Sequence, residues 1–95
     1  MEIIRAENVS IFSGNVYVVE NNLEIWSEKI IITSSKDEKE VKENKAHGNV
    51  KITREELSIN GDKAQYNPIQ NKLFVFGKVE VLQNHSIIFC DKIIV

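Results

Sequence analysis

Apolar residues recur at a spacing of two along most of the chain. Val16 and Val18 precede Leu23 and Ile25; Val50 and Ile52 precede Leu57 and Ile59; Val79 and Val81 precede Ile88. A period of two places such residues on one face of a strand. Polar clusters separate the runs: Glu20-Asn21-Asn22, Thr53-Arg54-Glu55-Glu56 and Gln83-Asn84-His85. Each unit therefore predicts a β-hairpin. Val, Ile, Tyr and Phe dominate the runs, as suits strands.

The hairpins are copies of one another. Gly14-Asn15-Val16, Gly48-Asn49-Val50 and Gly77-Lys78-Val79 start 34 and 29 residues apart, a period typical of stacked arrays. Counting from each glycine without gaps, position +11 is Ile25, Ile59 and Ile88. Position +14 is Glu28, Asp62 and Asp91, and +15 is Lys29, Lys63 and Lys92. Position +16 is Ile30, Ala64 and Ile93, and +18 is Ile32, Tyr66 and Val95. A third strand is expected to start at +14 in each copy. The glycine lies in phase with the apolar face, so it predicts a bend shared by every layer.

The repeat changes how two local signals read. Asn60-Gly61 resembles a hairpin tip, but its equivalents are Trp26-Ser27 and Phe89-Cys90, so a bend within a strand is expected. The true turn is placed at Asn67-Pro68-Ile69-Gln70-Asn71. Residues 33–45 are mostly charged and hold one large apolar residue, Val41, so a helix there has no face to bury. A solvated loop leading into a polar strand near 40–47 is expected. The whole chain, 1–95, reads as one all-β domain with repeats at about 14–32, 48–66 and 77–95.

The apolar share of 42% is that of a globular chain, and a formal charge of −2 gives no electrostatic case for nucleic acid or an anionic membrane. The lone Cys90 cannot form an internal disulfide. No apolar run reaches the roughly 18 residues of a membrane helix, and the opening MEIIRAENVS carries no signal peptide. Two readings of location stand: a cytosolic protein, or a secreted one whose signal has been removed.

No constellation for catalysis or metal binding emerges. His47 precedes the Gly48 bend and His85 lies in a turn; no Cys-x-x-Cys, paired-histidine or phosphate-loop pattern occurs. The acid–lysine pairs recur because the fold recurs, and strand neighbours point to opposite faces. No enzyme, metal or cofactor is expected.

The outer face differs between copies. Position +10 reads Glu24, Ser58 and Ile87, and +12 reads Trp26, Asn60 and Phe89. Phe74 and Phe76 alternate with Leu73 and Val75, so that strand is apolar on both sides. Either further chain covers these residues or they form a partner surface. The last residues, Asp91 to Val95, keep the strand pattern, so Ile93, Ile94 and Val95 are candidates for an edge that accepts another strand.

The middle copy, Gly48-Asn49-Val50-Lys51-Ile52 followed by Leu57-Ser58-Ile59-Asn60-Gly61-Asp62-Lys63-Ala64-Gln65-Tyr66, resembles the OstA-like lipopolysaccharide-transport family, the LptA type. Residues 71–81 continue the pattern; Ser27-Glu28-Lys29-Ile30 departs from it. The resemblance covers about residues 8–95, and the chain is short for the family, as if a layer were missing. It implies an OstA-like β-jellyroll of stacked antiparallel V-shaped layers. It also implies a periplasmic bridge that takes lipopolysaccharide from inner to outer membrane, joined edge to edge with itself and with similar folds in both membranes. Acyl chains would lie between the arms of the V.

On that footing the candidate lipid-binding residues are Val16, Val18, Leu23, Ile25, Ile30, Val50, Ile52, Leu57, Ile59, Tyr66, Val75, Val79, Val81 and Ile88. The same residues also suit a plain core. The alternatives are a β-solenoid scaffold that polymerises without a ligand, and a small enzyme or sugar-binding domain, for which no residue pattern speaks.

Overall fold

The computed structural model describes residues 2–6, 8–20, 22–36 and 40–95. It is all β: β1 (Glu2–Ala6), β2 (Val9–Glu20), β3 (Leu23–Ser34), β4 (Val41–Arg54), β5 (Leu57–Asn67), β6 (Lys72–Gln83) and β7 (Ser86–Ile94). The seven strands form one sheet in chain order, every neighbouring pair antiparallel. Two-residue connections join Glu20 to Leu23, Arg54 to Leu57 and Gln83 to Ser86. These are the hairpins the polar clusters predict. The polar strand expected at 40–47 is the first half of β4. The turn after Asn67 forms as read: the Asn67 Oδ1 accepts hydrogen bonds from the Ile69 and Gln70 backbone N–H groups at 3.0 and 3.1 Å.

One expectation is corrected. No separate strand starts at +14. β3, β5 and β7 run unbroken through that point, so each is the second hairpin strand continued. β1 is a strand that the repeat gave no reason to expect; among the described residues it pairs only with residues 9–13 of β2.

Every strand from β2 to β7 changes register at its middle. In the even strands the cause is a pair of consecutive residues with positive φ: Gly14-Asn15 (85° and 51°), Gly48-Asn49 (85° and 46°) and Gly77-Lys78 (81° and 47°). Such a pair is an extra kink in the ladder, a bulge that bends the sheet. In the odd strands the alternation slips by one. Leu23, Ile25 and Ser27 are buried and so is Ile30, whereas Glu28 and Lys29 are both exposed. The acid and lysine of each pair therefore do not point to opposite faces; both stand outside the bend, as do Asp62-Lys63 and Asp91-Lys92. The Ser27 hydroxyl satisfies the backbone at this slip. It accepts from the Lys29 N–H at 3.1 Å and donates to the Lys29 carbonyl at 2.7 Å.

These aligned bends fold one sheet on itself into two arms. The first arm holds residues 16–20, 22–27, 50–61 and 79–90; the second holds 9–13, 29–34, 41–47, 63–67, 72–76 and 92–94, together with β1. The core lies between the arms and draws on both: Val16, Leu23, Ile25, Val50, Ile52, Ile59, Val79 and Val81 from one, Ile30, Ala46, Ala64, Tyr66, Leu73 and Val75 from the other. Near the apex the arms converge, and the residues facing Val16, Val50 and Val79 are small: Ser27, Gly61 and Cys90. A Cβ on Gly61 would stand 2.6 Å from the Val75 Cγ1. Gly61 thus lies in a strand interior, as the repeat predicts.

Candidate functional site

The site built by this folding is the space between the arms. Eleven of the fourteen sequence-predicted lining residues are buried there: Val16, Leu23, Ile25, Ile30, Val50, Ile52, Ile59, Tyr66, Val75, Val79 and Val81. Val18 and Leu57 are half-buried at its margin. Ile88 does not belong to the enclosed set; it is 52% exposed, although its equivalents Ile25 and Ile59 are 2% and 1% exposed. Ile93 packs against the core, whereas Ile94 and Val95 are exposed.

Contacts across the mouth explain Ile88. Asn44 at the start of β4 donates from Nδ2 to Glu20 Oε2 at the end of β2, at 2.8 Å. Arg54 at the end of β4 donates from Nη2 to Asn71 Oδ1, before β6, at 3.4 Å. In both cases a first-arm residue meets a second-arm residue two strands further along the sheet. The arms are therefore offset by about two strands. At the far end of the sheet this leaves Ile88 of β7 exposed, whereas Val79 and Val81 of β6 are still enclosed. At the other end, the inner residues of β1 have no first arm opposite, and Ile3 is 53% exposed.

Among the described residues, the arms are joined by continuous backbone only through the bend; the backbone bonds outside the strand ladders lie within single arms. Along the mouth the ties are side chains. Asn71, at φ 54°, also accepts from the Tyr66 hydroxyl at 3.2 Å. The interior beside this tie, lined by Leu23, Ile52, Leu57, Ile59, Leu73 and Val95 and by Arg54, is too tight to admit a water molecule. Arg54 and Asn44 are contributors that sequence reasoning passed over. Arg54 stood in a turn-like cluster, yet it is in phase with Val50 and Ile52, and Asn44 is in phase with Ala46.

The outer face carries a different chemistry. Tyr17 and Trp26 are cross-strand partners with ring centroids 4.9 Å apart, and the Lys51 Nζ sits 5.7 Å from the Trp26 ring. Desolvation and then the nearby Glu24 carboxylate push the Tyr17 phenol above its ordinary range. At the bend, His47 lies beside Lys29 and Lys63, its register partners. Partial burial, then the charges of Lys63, Lys29 and Lys45, hold its imidazole below the usual histidine value. Among the described residues no group of three or more His, Cys, Asp or Glu could hold a metal ion. No helix among them is long and apolar enough to cross a membrane.

Comparison with known proteins agrees with this architecture. Residues 1–95 match the family described as LptA/(LptD N-terminal domain) LPS transport protein. No curated protein matches. Among solved structures, the fold is similar to that of LptH from Pseudomonas aeruginosa, described as the LptA-homologous periplasmic component of the conserved lipopolysaccharide transport device. The TM-score is 0.82 at 16% identity, covering 93% of this chain and 64% of LptH. At that identity the likeness is one of fold.

Proposed function

The chain belongs to the LptA/LptD N-terminal family of lipopolysaccharide transport proteins, and from this we propose that it carries lipopolysaccharide with its acyl chains between the two arms. It works in the periplasm, as a bridge between the membranes, joined end to end with itself and with similar folds in its partners. The observation that carries the reading is the construction of the mouth. The inner faces are apolar, and among the described residues the hydrogen bonds that tie the arm tips are between side chains, such as Asn44 to Glu20 and Arg54 to Asn71. The arms can part at the mouth without breaking a strand ladder. Each buried methylene of an acyl chain then contributes about 0.8 kcal/mol, so several chains bind strongly without site-specific chemistry.

End-to-end joining is supported by the offset of the arms. The uncovered first-arm face at β7 and the uncovered second-arm face at β1 complement each other in two successive copies. Binding of purified chain to lipopolysaccharide tests the carrier reading. Saturable binding is expected, with photo-cross-links from Ile59 and Val81 inside the V and none from Lys51 or Ser58 outside it. Absence of both binding and inner cross-links would sink it.

A second reading has one observation in its favour. The interior between Leu23, Ile52, Ile59 and Leu73 is packed too tightly for water, as in a β-solenoid scaffold that assembles and holds nothing. Concentration-dependent growth in light scattering together with no lipopolysaccharide binding would favour the scaffold.

A further inference from the structure

Arg54 occupies an unusual place. It ends β4 on the inner face, in register with Leu57 and on the same lining as Leu23, at the tip of the first arm. It borders the closed apolar interior on one side. On the other it borders two open clefts of about 310 and 390 Å³, one shared with Asn22 and Asn71, the other with Glu56 and Gln83. No other residue lines all three. A guanidinium on an apolar stem suits such a boundary, because the stem packs while the head reaches polar surroundings.

Its hydrogen bonding is incomplete. Arg54 has five N–H donors, of which one makes a long bond to Asn71. The Nε is buried with no acceptor. A buried donor in that state is costly, and more so on a charged group. No carboxylate among the described residues forms an ion pair with it; Glu55 and Glu56 share its clefts but are exposed. The geometry thus leaves a cation without an anion at the line where apolar interior meets water.

We propose that Arg54 is the head-group subsite of the space between the arms, taking the phosphate of an amphiphile whose chains lie inside. This rests on the carrier reading above and adds a polar selectivity to it. When the arms part, the Asn71 bond is released and the guanidinium fork turns to a phosphate, for which bidentate pairing is favourable. Phosphate alone gains the ion pair but none of the apolar burial. An amphiphile gains both.

Dodecyl phosphate, dodecyl maltoside and inorganic phosphate, each below any micelle concentration, separate these contributions in calorimetric titrations of the purified chain. The wild type is expected to bind dodecyl phosphate about tenfold tighter than the maltoside, the effect of one charge-assisted pair, and inorganic phosphate far more weakly than either. Arg54→Gln keeps a polar stem at the mouth and is expected to remove the preference for the phosphate over the maltoside, even where loss of the Asn71 tie shifts both affinities together. Arg54→Lys is expected to keep part of it. Circular dichroism and thermal melts establish that both variants fold. Equal weakening of both amphiphiles by Arg54→Gln, or a preference that survives it, would overturn the subsite and leave the carrier reading intact. Inorganic phosphate binding as tightly as dodecyl phosphate would overturn the amphiphile assignment. No binding of either amphiphile to the wild type would overturn both.

Discussion

The Glu28 side chain of β3 fills the space beside Gly48 of β4 where a Cβ would stand, and its Oε1 accepts a hydrogen bond from Asn49 Nδ2 at 2.8 Å. Asp62 takes the same place against Gly77, with its Oδ2 2.7 Å from the position of a Cβ. Glycine and acid thus interlock from strand to strand outside the bend.

Gly48→Ala is expected to destabilise the fold by about 2–3 kcal/mol. A left-handed conformation costs a non-glycine residue roughly 1–2 kcal/mol, and displacing Glu28 loses the Asn49 bond, about 0.5–1.5 kcal/mol. Urea denaturation of Gly48→Ala and of Glu28→Ala separates the two parts. Glu28→Ala should lose only the hydrogen-bond part, and the excess in Gly48→Ala is the backbone part, because φ at residue 48 stays at +85°.

Lys78→Asn should raise stability by about 0.5–1 kcal/mol. Lys78 holds φ at 47° where the other two layers have asparagine, which tolerates that region far better. The midpoint of denaturation should move up with an unchanged slope. A shift of zero or below would mean that the Lys78 side chain makes a compensating contact.

His47 makes stability depend on pH. Its folded pKa lies below its unfolded value, so between the two the unfolded chain binds more protons and stability rises with pH. The contribution is full above the ordinary histidine range, near 6.5, and is lost as pH falls through it toward the folded value. His47→Gln should flatten that part of the stability profile. An unchanged slope in the variant would show that another group sets it.

Ile94→Pro tests assembly through β7. Leu73 and Val95 exchange both backbone bonds, N to O at 3.2 and 2.8 Å, and antiparallel ladders alternate. The Ile94 N–H therefore points away from β6, and proline there removes an outward donor while sparing the ladder. Growth of scattering with concentration should fall while circular dichroism stays unchanged. Ile93→Pro, whose N–H faces β6, should instead loosen the strand itself. Equal assembly by Ile94→Pro would show that this edge is not the joint.

Much of the fold was legible because the repeat aligns signals that are weak singly. Glycine at 14, 48 and 77 marked the bends, and Trp26-Ser27 against Asn60-Gly61 ruled out a false hairpin tip. That Ser27, Gly61 and Cys90 are the small residues of an apex came only with the register, which sets them opposite Val16, Val50 and Val79. The slip of alternation at Glu28-Lys29 was not legible, because a period of two gives no warning of where it breaks. β1 escaped because its partner, residues 9–13 of β2, lies outside the repeated stretch. Ile88 looked identical to Ile25 and Ile59 because a strand's own pattern says nothing about which strand its face will meet across the fold. That is set by the twist of the whole sheet. Arg54 was hidden by its neighbours Glu55 and Glu56, which made a strand end look like part of a turn.

The offset between the arms also sets how such a protein scales. At each end the last strand is left unenclosed, at Ile3 of β1 and Ile88 of β7, and this loss is the same whatever the number of strands. In a short sheet the loss takes a large share of the length; in a long one it becomes a minor end effect. Under the end-to-end joining proposed above, each copy would fill its neighbour's open side, and the enclosed length per residue would grow as units are joined.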